Sequence, residues 1–413
     1  MPPIPTTLSI FHRWFIVAIG FLALALAFSA RASLSLVMPV WTAELGWSQS
    51  FISGVASLAL LVMAVVAPFA GRMVDQRGVR VTLGLGLILT GAGSLLLSLA
   101  ESPLALVFAY GLLSAAGFGL VATHVVSTAI ARRFDQRAGL AMGVGTSGAT
   151  GGQFLLVPLI ALLLESQSWR LSFLTLGTAA LVTAGLLWWA LQTEGRRPGS
   201  QATELGAKLD TQSLAGDLRA TLKRPAFHIL FWSFFLCGYT TTGVIETHFL
   251  PYASFCGIGP VPGATAYGTL SAVNLLGMIL AGWLTDRVNR VALLGTIYLV
   301  RGLSFLLLMH VGSDYETLMA FAILFGAVDY ATVPVTASLA ASHLGLRVMG
   351  LAMGLISAGH AVGGAAGAFT GGYLFDLTNR YDWLWTLSLG LAVGAGLIVF
   401  LLRDQPTPTP QVA

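Results

Sequence analysis

Seven ionisable side chains lie inside stretches otherwise too apolar to carry them: Arg31, His124, Glu246, His248, Arg301, Asp329 and His360. A charge at bilayer depth costs at least about 2.5 kcal/mol on insertion scales, so each needs a partner, a wet cavity or a task. Arg31, flanked by Ser29, Ser33 and Ser35, presents a guanidinium whose fixed donors hold a carboxylate through two bonds, which suits an organic anion. An ion pair with Glu246 is the alternative, and the two arrangements can alternate as substrate or proton arrives. Arg301 has Asp329 as its natural partner, either as a buried structural pair or with one of the two reaching a cavity, where Asp329 would accept a proton. Glu246 is the first candidate for coupling a proton, with His248 and Asp329 beside it. His124, Tyr239, Asn274 and Tyr330 are candidate donors to a substrate oxygen, and Arg301 joins them if it reaches the cavity.

The elements that must position these groups are membrane helices. Of the 413 residues, 56% are hydrophobic and only 9% charged, with a mean hydropathy of +0.83. One water-soluble globule cannot hide that much apolar surface, which excludes a soluble enzyme. The net charge of +4 comes with no basic stripe interleaved with aromatics, so nucleic acid is not an expected partner. Cys237 and Cys256 are the two cysteines and form neither a disulfide framework nor a zinc spacing. Gly143-Val-Gly145-Thr-Ser-Gly148 matches a dinucleotide fingerprint, but it lies in an apolar helix and follows no strand. Neither a metal nor a cofactor is expected, and the bilayer is the expected environment.

A bilayer core of about 30 Å needs about 20 mostly apolar residues per helix. Such runs fall at 14–38, 48–71, 79–100, 103–131, 138–164, 171–192, 226–250, 264–285, 291–311, 315–342, 348–374 and 382–402. The first is too long for the apolar part of a signal peptide and reads as a retained helix. A polar segment from Glu194 to Arg224 divides the spans six and six. The expected organisation is a bundle over 1–193, a cytoplasmic loop over 194–224 and a second bundle over 225–413. With the N-terminus inside, the outer loops hold only Arg170 and Arg380, and Arg31 and Arg301 lie within spans; the other seventeen of the 21 Lys and Arg face the cytoplasm. That asymmetry places both termini in the cytoplasm of a cell that carries the chain in its plasma or inner membrane.

The halves repeat. Gly71-Arg-Met-Val-Asp75-Gln-Arg77-Gly78-Val-Arg80 follows span 2, and Gly282-Trp-Leu-Thr-Asp286-Arg287 follows span 8. Arg137-Ala-Gly139-Leu-Ala-Met-Gly143 opens span 5, and Gly350-Leu-Ala-Met-Gly354 opens span 11. Both pairs are offset by 211 residues, as expected of two six-helix repeats related about an axis along the membrane normal. Gly359, Gly363, Gly367 and Gly371 recur every fourth residue in span 11, and their bare face is expected at the interface where the halves rock. Gly238 and Gly243 bracket Tyr239-Thr240-Thr241-Thr242 in span 7, where a loosened helix would expose carbonyls and act as a gate.

Twelve spans, a long central loop and the G-x-x-x-D-x-R-G-x-R segment resemble the major facilitator superfamily over nearly the whole chain. The resemblance implies an all-α membrane protein, twelve transmembrane helices in two pseudo-symmetric six-helix bundles, with spans 1, 4, 7 and 10 lining a central cavity. It implies a conformational role for Gly71, Asp75, Arg77, Gly78 and Arg80, and for Gly282, Asp286 and Arg287. Within the superfamily, the Arg31-x-Ser helix, Gly46-Trp47-Ser48, Arg132 to Arg137 and His248-Phe-Leu-Pro251-Tyr252 resemble bacterial relatives of monocarboxylate transporters and oxalate/formate exchangers. Such carriers often place an Arg in span 8, whereas Tyr267 to Trp283 has none and offers Asn274. The resemblance to drug/proton antiporters is poorer, because Gly148-Ala-Thr-Gly151-Gly152 lacks their proline. The expectation is a monomeric secondary transporter, not an enzyme, that moves a small organic anion with protons by alternating access. Efflux of amphipathic drugs is the alternative, and a membrane-embedded enzyme or receptor a distant one.

Overall fold

Inside a bilayer no water satisfies a backbone N–H or C=O, so apolar runs of this length must satisfy their own, and they do so as helices. The computed structural model describes residues 7–123, 125–126, 144–166, 168–190, 214–285, 287–345 and 349–404. Among these, twelve helices are long and apolar enough to cross a membrane. Spans 1 to 6 are Trp14–Leu45, Gln49–Ala67, Arg77–Ser98, Pro103–Leu120, Val144–Glu165 and Trp169–Trp189. Spans 7 to 12 are Pro225–Phe255, Pro260–Thr285, Arg290–Leu308, Tyr315–Leu344, Leu351–Thr378 and Asp382–Val399. Large apolar side chains such as Val65, Leu276 and Leu397 point outward, a surface suited to lipid and not to water. The protein is a multi-pass membrane protein.

Among the described residues, spans 4, 7 and 10 depart from the α-helix. Span 7 is α-helical over Pro225–Gly238, π-helical over Tyr239–Ile245 and α-helical again over Glu246–Phe255. Its threonines take up carbonyls there: Thr241 donates to Cys237 O at 2.8 Å and Thr247 to Thr242 O at 3.3 Å. Span 4 is π-helical over Val107–Ser114 and leaves helical geometry at Val121 (φ −92, ψ 64). Span 10 breaks between Tyr315–Val328 and Thr332–Leu344. Pro334 has no N–H to give the Tyr330 carbonyl, and Val333 N–H takes it instead at 3.0 Å in a tighter turn.

The segment after span 2 is helical further than expected. One helix runs Gln49–Ser98, broken only at Gly78 (φ 80, ψ 171), a conformation that glycine adopts without strain. Arg80 stacks on Trp188 at 4.4 Å, and Arg287 lies 4.1 Å over Trp283 and donates to its carbonyl at 3.0 Å. Both therefore contact their own half of the molecule, while Arg77 is exposed. His124, Asp286, the 132–137 segment and the side chain of Asp75 lie outside the described residues.

The glycine face of span 11 packs within its own half and not at the interface expected for it. A Cβ at Gly359, Gly363, Gly367 or Gly371 would meet Phe231, the Phe235 carbonyl, the Tyr239 carbonyl or His248, all in span 7 of the same half. The contact with the other half uses the next stripe round the helix, where Gly364 meets Leu60 and Gly372 meets Ser53 of span 2. Bare backbone serves both contacts, since span 11 is wedged between two helices at close approach. Spans 1 and 7 and spans 5 and 8 form the other seams between halves: Ser35 donates to Thr247 O at 2.8 Å and Gln153 to the Tyr267 hydroxyl at 3.2 Å.

Candidate functional site

Arg31 and Glu246 meet where spans 1 and 7 cross the seam. Arg31 Nη2 donates to Glu246 Oε2 at 2.5 Å, with about one-seventh of each side chain exposed (14% and 13%). Tyr330, carried by the break in span 10, donates its hydroxyl to Glu246 Oε1 at 3.0 Å. Tyr110, in the π-helical part of span 4, donates to the Arg31 carbonyl at 3.0 Å, and Phe28 lies under the guanidinium at 4.8 Å. The cavity beside the pair is lined by Ser35, Ala59, Met63 and Thr242 among others and encloses about 20 Å³, room for about one water. The carboxylate of Glu246 thus occupies the place at Arg31 that another carboxylate would take.

A second polar cluster sits behind the first. Arg301 is fully buried, and its Nη2 donates to Val328 O at 2.9 Å and to the Asp329 carbonyl. These are carbonyls at the end of a helix, where a cation is favoured by the aligned peptide dipoles. Arg301 Nη1 donates to Cys237 Sγ at 2.7 Å, and the rings of Tyr298 and Phe325 lie 5.6 and 5.7 Å from its charge. The Asp329 carboxylate is held more loosely, with Oδ1 3.8 Å from Arg301 Nη2 and without a hydrogen bond among the described residues. Its Oδ2 accepts from Asn274 Nδ2 at 3.2 Å, and Asn274 Oδ1 accepts from Tyr330 N–H at 3.0 Å. Four groups, two of them neighbours in sequence, therefore form one polar chain: Glu246, Tyr330, Asn274 and Asp329.

Comparison with known proteins bears on what this arrangement serves. The family model described as Major Facilitator Superfamily matches residues 20–309 and 258–413, nearly the whole chain between them. The chain belongs to the Major Facilitator Superfamily. It is 27% identical over 408 residues to an uncharacterized MFS-type transporter, YcxA, of Bacillus subtilis, covering 96% of this chain and 97% of that one. It is 28% identical over 397 residues to monocarboxylate transporter 13 of Rattus norvegicus, covering 94% and 88%. In fold it is similar to a bacterial homolog of the human lysosomal transporter Spinster, in an inward-facing and occupied conformation, with a TM-score of 0.71, 15% identity and 94% and 96% coverage. It is a transporter of this superfamily and not an enzyme.

For a superfamily carrier, the expected residues divide sharply by position. Arg31 and Glu246 line the cavity, Tyr330 joins them through its bond to Glu246, and Asn274 reaches them through the Tyr330 backbone. Arg301 lies outside it, behind the break in span 10. Tyr239 is buried where span 7 meets span 11. His248 faces away from Glu246, as a two-residue step on a helix requires, and its Nε2 lies 2.9 Å from Ala368 O. His360 lies 3.5 Å from the Thr241 hydroxyl and against the Phe234 ring. The sequence offered no sign of Gln153, Tyr267 and Ser271, a polar set across spans 5 and 8 with Ser271 donating to Gln153 at 3.4 Å. Tyr267 and Ser271 stand 114 and 118 residues after Gln153, and no motif joins them.

Proposed function

We propose that the chain carries a small organic anion of monocarboxylate type together with a proton by alternating access. In this reading it lies in the plasma or inner membrane with both termini in the cytoplasm and works as a monomer. The observation that carries it is the Arg31–Glu246 pair, which joins the two halves inside the cavity at 2.5 Å. A substrate carboxylate takes the place of Glu246 on Arg31. The freed Glu246 takes a proton, so the site's net charge is the same before and after. Breaking a bond between halves is also what lets them rock, so loading and movement are one event. Asp329 and His248 are the further groups that this reading assigns to proton coupling. The monocarboxylate transporters among the relatives support the substrate class, and the distribution of Lys and Arg supports the orientation.

The test is uptake of a labelled short-chain monocarboxylate into proteoliposomes, with and without an inward proton gradient. Saturable uptake that rises with the gradient is expected, and Arg31→Ala and Arg31→Lys should both abolish it in folded protein, since an ammonium does not reproduce the two-bonded fork. Competition by lipophilic cations but not by acids would overturn the anion reading in favour of drug antiport.

A further inference from the structure

At the end of the bundle opposite the start of span 1 and the end of span 12, carboxylates of one half cap helices of the other. A helix starts with backbone N–H groups for which the helix has no backbone carbonyl of its own. In span 2, Phe51 N–H is taken by its own Ser48 Oγ at 3.1 Å. Gln49 N–H and Ser50 N–H instead go to Asp376 Oδ1 at 3.2 Å and Oδ2 at 2.9 Å, on the last turns of span 11. Tyr381 adds a hydroxyl donated to Gln49 Oε1 at 2.7 Å. In span 8, Pro260 and Pro262 have no N–H, which leaves Val261 as the donor needing a partner. It donates to Glu165 Oε1 at 3.3 Å, on the last turn of span 5. The two arrangements are copies: Asp376 stands 211 residues after Glu165, and Val261 stands 211 after Ser50, the offset of the internal repeat.

We propose that Glu165 and Asp376 are a duplicated pair of latches that hold this end closed by capping helices across the seam. Opening exchanges their backbone donors for water. The proposal rests on the alternating-access part of the functional reading and not on the anion. A carboxylate at a helix N-terminus satisfies orphan donors and meets the positive end of the dipole, and neither gain survives separation of the halves. The latches are unequal. Asp376 engages two donors with support from Tyr381, whereas Glu165 engages one.

The test measures distances by electron–electron resonance between spin labels at Glu101→Cys and Ser313→Cys, in full-length protein carrying Cys256→Ser, reconstituted without substrate. Both label sites lie in exposed turns at this end, one in each half. Asp376→Ala should raise the ratio of open to closed populations about fivefold and Glu165→Ala by less. The double variant should come near the product of the two. Asp376→Asn and Glu165→Gln keep the volume and one acceptor, and should fall between wild type and Ala. An unchanged distribution in the folded double variants, whether Ala or amide, would overturn the proposal. Because no substrate is present, failure of the anion reading leaves this result intact.

Discussion

Two buried cation–anion pairs among the described residues, Arg31–Glu246 and Arg301–Asp329, are built for different ends. Arg31 spends its short bond on a carboxylate, on the edge of a cavity, with part of each side chain exposed. Arg301 is sealed, spends its donors on carbonyls of a broken helix and on a thiol, and leaves the Asp329 carboxylate at 3.8 Å. The first pair joins the two halves, and in the proposed function a substrate carboxylate replaces Glu246 there; the second holds one half together. Burial of a charge does not decide what it can do. What its donors are spent on does.

Removing Arg301 tests the contrast hardest. Arg301→Ala strips the carbonyls at the end of the first part of span 10 and leaves Asp329 buried with no cation, a loss of about 3–5 kcal/mol. The expected outcome is a steep fall in folded protein by size-exclusion fluorescence and in thermal midpoint. If the variant is as stable as wild type but fails to transport, Arg301 belongs to the cavity and the contrast collapses. Glu246→Gln should do the reverse. Gln keeps an acceptor for Tyr330 and loses the charge, in a place water can reach, so stability should change by about 1 kcal/mol or less. Substrate exchange should persist while accumulation driven by a proton gradient disappears. Retained gradient-driven accumulation would move the coupling role to Asp329.

The fold was legible because periodicity was hardly needed: twelve apolar runs, one polar divider and one offset of 211 leave few alternatives. Arg31 and Glu246 were legible for a related reason, since a charge in an apolar run is conspicuous and their helices are symmetry mates. The break in span 10 is not legible in the sequence, although Pro334 marks it, because proline in a membrane helix is often accommodated without a break. With that break unseen, Tyr330 was one donor among several instead of the link between two clusters. The glycine stripe of span 11 misled for a different reason. Spacing shows that a face is bare but not which neighbour lies against it, and here two bare stripes lie side by side. Asp376 and Glu165 read as ordinary acids at span ends, although the offset of the duplication also joins them.

The smallest expected effect tests whether the two pairs are independent at all. Tyr330 touches both, through its hydroxyl to Glu246 and its N–H to Asn274, which in turn holds Asp329. The backbone N–H can only donate, so the Asn274 oxygen must face it and the amide nitrogen must face Asp329. A change of charge at Asp329 therefore pulls on the turn that carries the Tyr330 ring, and so on Glu246. Glu246→Gln and Asp329→Asn should be non-additive in unfolding free energy by about 0.5–1 kcal/mol. Repeating the cycle in a Tyr330→Phe background, which removes one hydrogen bond at a cost of about 1 kcal/mol, should bring the coupling within about 0.3 kcal/mol of zero. If the coupling survives without the hydroxyl, it passes through space or through the backbone. The cavity pair and the sealed pair would then sense each other without Tyr330, and the division drawn between them would be one of exposure alone.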